Sequence, residues 1–266
     1  MRRGSTPVGL LAAELRKLTT LPAVRAGVAV SVLGSAALTV LNAVTVRQAI
    51  TAGRPDLLAD TSPFETAFAS MPIGTVGAVV VGVVAIGSEY TANGPDTGGG
   101  RQITATLAAA PHRARLLAVK AGAVVLAVVA AAAVSIPAST LVARVLVGAA
   151  GTETVPVGDQ VARSLGGATY WTLTALIAFA ITVLTRSGTV PLLVLIPNSS
   201  VVSVPLLLTT LTDLAYWLPD LAGRRLFTGV DTVGGGLGTV PGALVMAGWA
   251  AVLLVVAGVV FSRRDA

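Results

Sequence analysis

Charge is the scarcest commodity in this sequence. Only 11% of its 266 residues are Asp, Glu, Lys or Arg, against roughly 25% in an average soluble domain. So few charges cannot cover the outside of a water-soluble protein of this length. Disorder is excluded by the opposite number, because 54% of the residues are apolar and disordered chains are poor in such residues. Cysteine is absent, which rules out a disulfide framework and a thiolate metal site. Aromatic residues make up 4%, too few for the girdles of an outer-membrane barrel. Lysine is nearly missing as well: of 18 basic residues only Lys17 and Lys120 are lysine. What remains is Ala, Val, Leu and Gly, the composition of an all-α membrane protein.

The few charges bracket long silent windows at 26–46, 66–88, 121–143, 164–185, 187–212 and 232–262. About 20 apolar residues cross a hydrocarbon core of roughly 30 Å. A charge at the centre of such a helix costs about 2.5–3.5 kcal/mol, so six charge-free windows predict six transmembrane helices. Their expected bounds are 24–46, 67–87, 119–143, 164–185, 189–211 and 240–261. With both termini in the cytoplasm, 12 Lys and Arg fall on the inner side and 6 on the outer. The positive-inside bias therefore places both termini inside, in a multi-pass protein of the plasma membrane. A cleaved signal peptide is not expected, because some 23 residues precede the first apolar window. The net charge of +6 is read as this topology signal and not as nucleic-acid binding.

Three segments outside the windows carry pattern. Residues 8–21 place Val8, Leu11, Leu15 and Leu18 on one helical face, with Arg16 and Lys17 opposite. This predicts an amphipathic helix in the cytoplasmic interface, ended by Pro22, with Glu14 and Lys17 able to pair across a turn. A helix packed on a partner protein is the alternative. Residues 88–118 form the longest inner loop, with a short helix expected over 101–110 and Pro111 ending it. Residues 212–239 are too apolar for a solvated loop and are expected to dip back against the bundle.

Catalytic signatures are missing. No GxxxxGK[ST], HExxH, GxSxG or GxGxxG stretch occurs, and the single histidine, His112, lies between Pro111 and Arg113 in a basic loop. No window carries an ionisable residue near its middle, which argues against a proton- or sodium-coupled carrier. The fifth window is the polar one: Pro191, Pro197 and Pro205 surround Asn198, Ser199 and Ser200. These three polar residues either line a pathway or hold helices together. Small residues at four-residue spacing (Gly27, Ser31, Ser35; Gly77, Val81, Ala85) suit close helix packing, within the bundle or in a dimer.

Together, the ELRKL core (14–18), six windows, the Glu89-Tyr90…Gly94 element and the TLAAAPHRARLLAVK stretch (106–120) resemble the permease subunits of type-2 ATP-binding-cassette (ABC) exporters. The resemblance covers essentially the whole chain, with 89–120 as its specific part and PDTGGG (95–100) as extra sequence. It implies a single permease domain, 1–266, that pairs with a second permease subunit, identical or different, and with a cytosolic ABC ATP-binding subunit. ATP and Mg would be held by that partner, no cofactor by this chain, and no enzymatic activity is expected here. The 88–118 loop would be the coupling loop, with Glu89, Tyr90, Arg101, Thr104, Leu107, Pro111 and Arg113 at the ATPase-coupling positions. The cargo would be a hydrophobic or amphipathic drug, peptide antibiotic or lipid. A membrane immunity or sensor protein without transport shares most of these features.

Overall fold

A computed structural model describes residues 7–58, 60–90, 112–151, 154–200, 203–229 and 236–263. Among the described residues every regular element is helical. Five continuous helical stretches are long and apolar enough to cross a membrane: Pro22–Thr51, Pro63–Tyr90, Arg113–Ala150, Val157–Thr185 and Thr239–Arg263. The protein is thus an all-helical, membrane-compatible bundle, and five of the six expected spans are long single helical runs.

In chain order, α1 (Pro7–Thr20) ends before Pro22, as its sequence requires. The first span is α2 (Pro22–Ala29), a π-helical turn at Val30–Gly34, and α3 (Ser35–Thr51). The second opens with the short α4 (Pro63–Phe68), capped by the Ser62 hydroxyl, which accepts from the Glu65 amide. It continues as α5 (Met71–Gly87) and closes in a 3-10 turn at Ser88–Tyr90. Then come α6 (Arg113–Val147) and α7 (Val157–Thr185).

The fifth window departs from expectation. It holds α8 (Thr189–Ser200) and, after a break, α9 (Val204–Leu208). Twelve helical residues rise about 18 Å at 1.5 Å each, well short of the hydrocarbon core. The expected helix over 189–211 is therefore two pieces. Pro197 removes one backbone donor, and the neighbouring polar side chains accept from amides at the start of the next piece. The Asn198 Oδ1 accepts from the Val204 amide at 3.1 Å, and Ser203 caps α9. Beyond it, α10 (Pro219–Arg224) packs on α7 and on the last helix, α11 (Thr239–Arg263). Leu221 and Ala222 are buried there, so this part of the 212–239 segment does fold back onto the bundle.

Helices α5 and α7 form the centre. Their seam depends on glycine: a Cβ at Gly74 would lie 1.7 Å from the Trp171 ring, and one at Gly82 would lie 2.2 Å from the Ala175 carbonyl oxygen. The small residues at four-residue spacing work inside the bundle as well. A Cβ on Gly77 would reach 2.1 Å from the Ser31 Oγ and 2.2 Å from the Gly27 carbonyl. Backbones this close allow hydroxyl bonds between helices: Ser31 Oγ donates to Gly74 O at 3.0 Å, and Ser135 Oγ donates to Ser31 O at 2.5 Å.

Candidate functional site

Four charged side chains converge where α1, the end of α5 and the start of α6 meet. Glu89 Oε1 accepts from Lys17 Nζ at 2.5 Å and from Lys120 Nζ at 2.7 Å. Lys120 Nζ also donates to Glu14 Oε2 at 2.8 Å. The side chains of Glu89 and Lys120 are 0% and 1% exposed. A buried ion is tolerated only when paired and hydrogen-bonded, so the group stands or falls as a unit. Both lysines of the chain are used here. The expected Glu14–Lys17 pairing across one turn is replaced, because α1 turns Glu14 and Leu18 inward to buried positions. Lys17 instead reaches Glu89, 72 residues on. Leu11 and Leu15 pack on the same core, so the apolar face of α1 meets the bundle.

This cluster closes a loop. Glu89 and Lys120 begin and end the stretch singled out in the sequence, and their contact pins both ends of the intervening segment to each other and to α1. Tyr90, beside Glu89, packs partly buried against the core. Arg113, the first residue of α6, sends Nη1 to the Phe261 carbonyl at 3.4 Å. That carbonyl belongs to the last turn of α11, where a cation is favoured by the helix dipole. Arg101, Thr104, Leu107 and Pro111, with the helix expected over 101–110, lie outside the described residues.

The second arrangement surrounds the break in the fifth window. A cavity of about 300 Å³ lies among α7, α8, α9, α10 and α11, and its lining includes Asn198, Ser199, Tyr170, Asp220 and Met246. Its walls are otherwise mostly apolar. Asn198 holds the α9 amide as described, while Ser199 Oγ donates to its own helix at Ile196 O, 3.2 Å away. Both therefore face the cavity and brace local backbone; the side chain of Ser200 lies outside the described set. Asp220 ties the cavity wall together. Its Oδ1 accepts from Tyr170 Oη at 2.6 Å, and its Oδ2 from Ser203 Oγ at 2.8 Å and Arg224 Nε at 3.3 Å. Hydrogen bonds to a charged group contribute about 1.5–3 kcal/mol. Tyr170→Phe is expected to cost an amount in that range in detergent unfolding; a loss under about 0.5 kcal/mol would show the bond to be dispensable.

At α4, Arg163 clamps Glu65 with two parallel hydrogen bonds, one of them Nη2 to Oε2 at 2.8 Å. The same guanidinium lies 5.0 Å from the centre of the Phe64 ring, and its Nε donates to Phe227 O at 2.8 Å. Among the described residues no three His, Asp or Glu side chains gather as a metal site.

Neither protein-family models nor curated proteins give a match to this chain. Of the sequence-derived positions, the structure brings Glu89 to a buried charge centre and Asn198 and Ser199 to a cavity. Glu14, Lys17, Lys120 and Asp220 were not singled out as site residues. A usable signal existed for two of them: a chain that uses arginine almost everywhere keeps lysine at only two positions, and those two meet. A lysine offers a compact charge with three rotatable donors, and Lys120 uses it to reach two carboxylates, Glu14 and Glu89.

Proposed function

We propose that this chain is the membrane-spanning permease subunit of an ABC exporter in the plasma membrane, with both termini cytoplasmic. A separate cytosolic subunit hydrolyses ATP, and a second permease subunit completes the pathway. The buried Glu14–Lys17–Glu89–Lys120 cluster carries this reading. It joins α1 and both ends of the 91–111 segment to two membrane-spanning helices. A partner that shifts that segment between two positions would thus bias the bundle between two states. The sequence supplies no nucleotide-binding loop of its own, which suits a divided permease and ATPase. The mostly apolar cavity at the broken fifth window supports a hydrophobic or amphipathic cargo.

The test is coexpression of the chain with the ABC ATP-binding subunit, followed by copurification and vanadate-sensitive turnover in lipid. A stable pair is expected, and Arg101→Glu is expected to lower turnover by about tenfold, within the usual range of coupling free energies. Arg101 is the better probe, because charge reversal at Arg113 would also disturb the end of α11. Failure to copurify, with no turnover in lipid, would replace this reading with the immunity or sensor alternative.

A further inference from the structure

A groove of about 840 Å³ opens on the outside of the bundle where α1, α2 and α6 meet. Its origin lies in the packing of the first span. The first span packs on α6 through α3 and the π-turn at Val30–Gly34, which also touches α5, whereas its opening helix α2 packs on α5. The two helices are joined at the Ser31–Ser135 hydrogen bond and diverge toward α1. Small residues on α6, Ala127 and Ala130, leave the gap unfilled, while Val28, Val32 and Val134 form apolar sides and Leu18 of α1 closes the end.

One charged residue lines this groove. Arg25 stands at the α1 end, and its Nε donates to the Thr19 carbonyl at 2.7 Å. That bond fixes the guanidinium at the mouth while leaving the Nη groups for an anion. Among the described residues no carboxylate pairs with Arg25, although it borders a charge-free window. From Arg25 to Val32 the helix rises about 10 Å, and from Leu126 to Val134 about 12 Å. One leaflet of hydrocarbon is about 15 Å deep. The slot therefore runs from headgroup level most of the way to the midplane, and a ligand reaches it from the bilayer.

We infer that this groove binds one phospholipid of the leaflet in which α1 lies, an acyl chain between α2 and α6 and the phosphate on Arg25. Arginine suits the head because its paired N–H groups match two phosphate oxygens. The wall suits the tail because beyond Thr19 and Arg25 it is concave and lined by apolar side chains. The site rests on the chain being a membrane protein and is independent of any transport activity.

Native mass spectrometry of the full chain, after incubation with vesicles of phosphatidylglycerol, tests it. Diacylglycerol of the same chains and inorganic phosphate serve as the single-feature probes. Retention of phosphatidylglycerol and of neither single-feature probe is expected. Arg25→Gln should lower retention by roughly tenfold, the loss of one charge-assisted pair of hydrogen bonds. Ala130→Trp should lower it by filling the groove with Arg25 intact, in a variant that still elutes as a folded species. Equal retention by wild type and both variants would overturn the site. The cysteine-free chain allows a check that does not need the tryptophan variant to fold. Ala130→Cys carrying a benzophenone should form a lipid adduct on illumination; a chain-to-chain adduct instead would show that a second copy covers the groove.

Discussion

Replacing Lys120 by methionine is expected to destabilise the bundle by about 3–5 kcal/mol, the cost of leaving a buried charge without its partner. Methionine keeps the length of the side chain, so lost packing contributes little. The damage comes from Glu89, fully enclosed and deprived of one of the two lysines it bonds among the described residues, and from Glu14, which loses the only ion pair it makes among the described residues. A second substitution shows that the charges are the cause. Glu89→Gln added to Lys120→Met removes the buried anion but keeps an acceptor for Lys17, whose side chain is 22% exposed and can extend toward water. The double variant is expected to regain at least half of the lost stability. Thermal unfolding in detergent, followed by tryptophan fluorescence or by loss of the monodisperse elution peak, measures both. A single-variant loss under about 1 kcal/mol would mean that water reaches the cluster and screens it. If the proposed coupling role is right, the refolded double variant still loses partner-dependent ATP turnover, because neutral contacts restore stability without restoring the link.

The other large effect is expected at the α5–α7 seam. Gly82→Ala places a methyl where only 2.2 Å separates it from the Ala175 carbonyl oxygen, and Gly74→Ala places one inside the Trp171 ring. Neither neighbour yields easily. Ala175 contributes backbone in the middle of a helix, and Trp171 is fully buried with its Nε1 bonded to Met71 O at 3.3 Å. Each change is expected to cost at least about 3 kcal/mol, the upper end for overpacking. Gly248 in α11 provides the contrast, since a Cβ there meets nothing within 4 Å. Gly248→Ala is expected to stabilise by about 0.5–1 kcal/mol, the ordinary gain of alanine over glycine within a helix. A similar gain at all three positions would show that general helix propensity, and not the closeness of α5 and α7, sets the response.

Several features were legible before any coordinates. The charge-free windows at 26–46, 66–88, 121–143, 164–185 and 232–262 all lie largely within long helices, and α1 ends before Pro22 as its sequence suggested. The spacing of Gly27, Ser31 and Gly77 announced close helix contact, and that contact is now assigned within the bundle. The fifth window looks like a span in the sequence because the absence of charge does not register where the backbone changes direction. Its prolines and the Asn198–Ser200 triplet stand out in the sequence, yet whether such groups kink a helix or break it depends on which amides they find. Here Asn198 finds Val204, and the helix breaks.

What the sequence determined by itself is the class of molecule. Hydrocarbon contains no water to satisfy polar groups, so a chain that lives there must show long charge-free helical runs however those runs later pack. Composition and window length are local properties, and both can be read from one strand of text. The pairing of charges was decided only by tertiary structure. Glu14 and Lys120 are 106 residues apart, and Tyr170 and Asp220 are 50 apart. No local rule selects such partners. They are chosen when α1 docks on the bundle and α10 folds back against it, because each buried charge must then accept whatever opposite charge or donor the packing brings within reach.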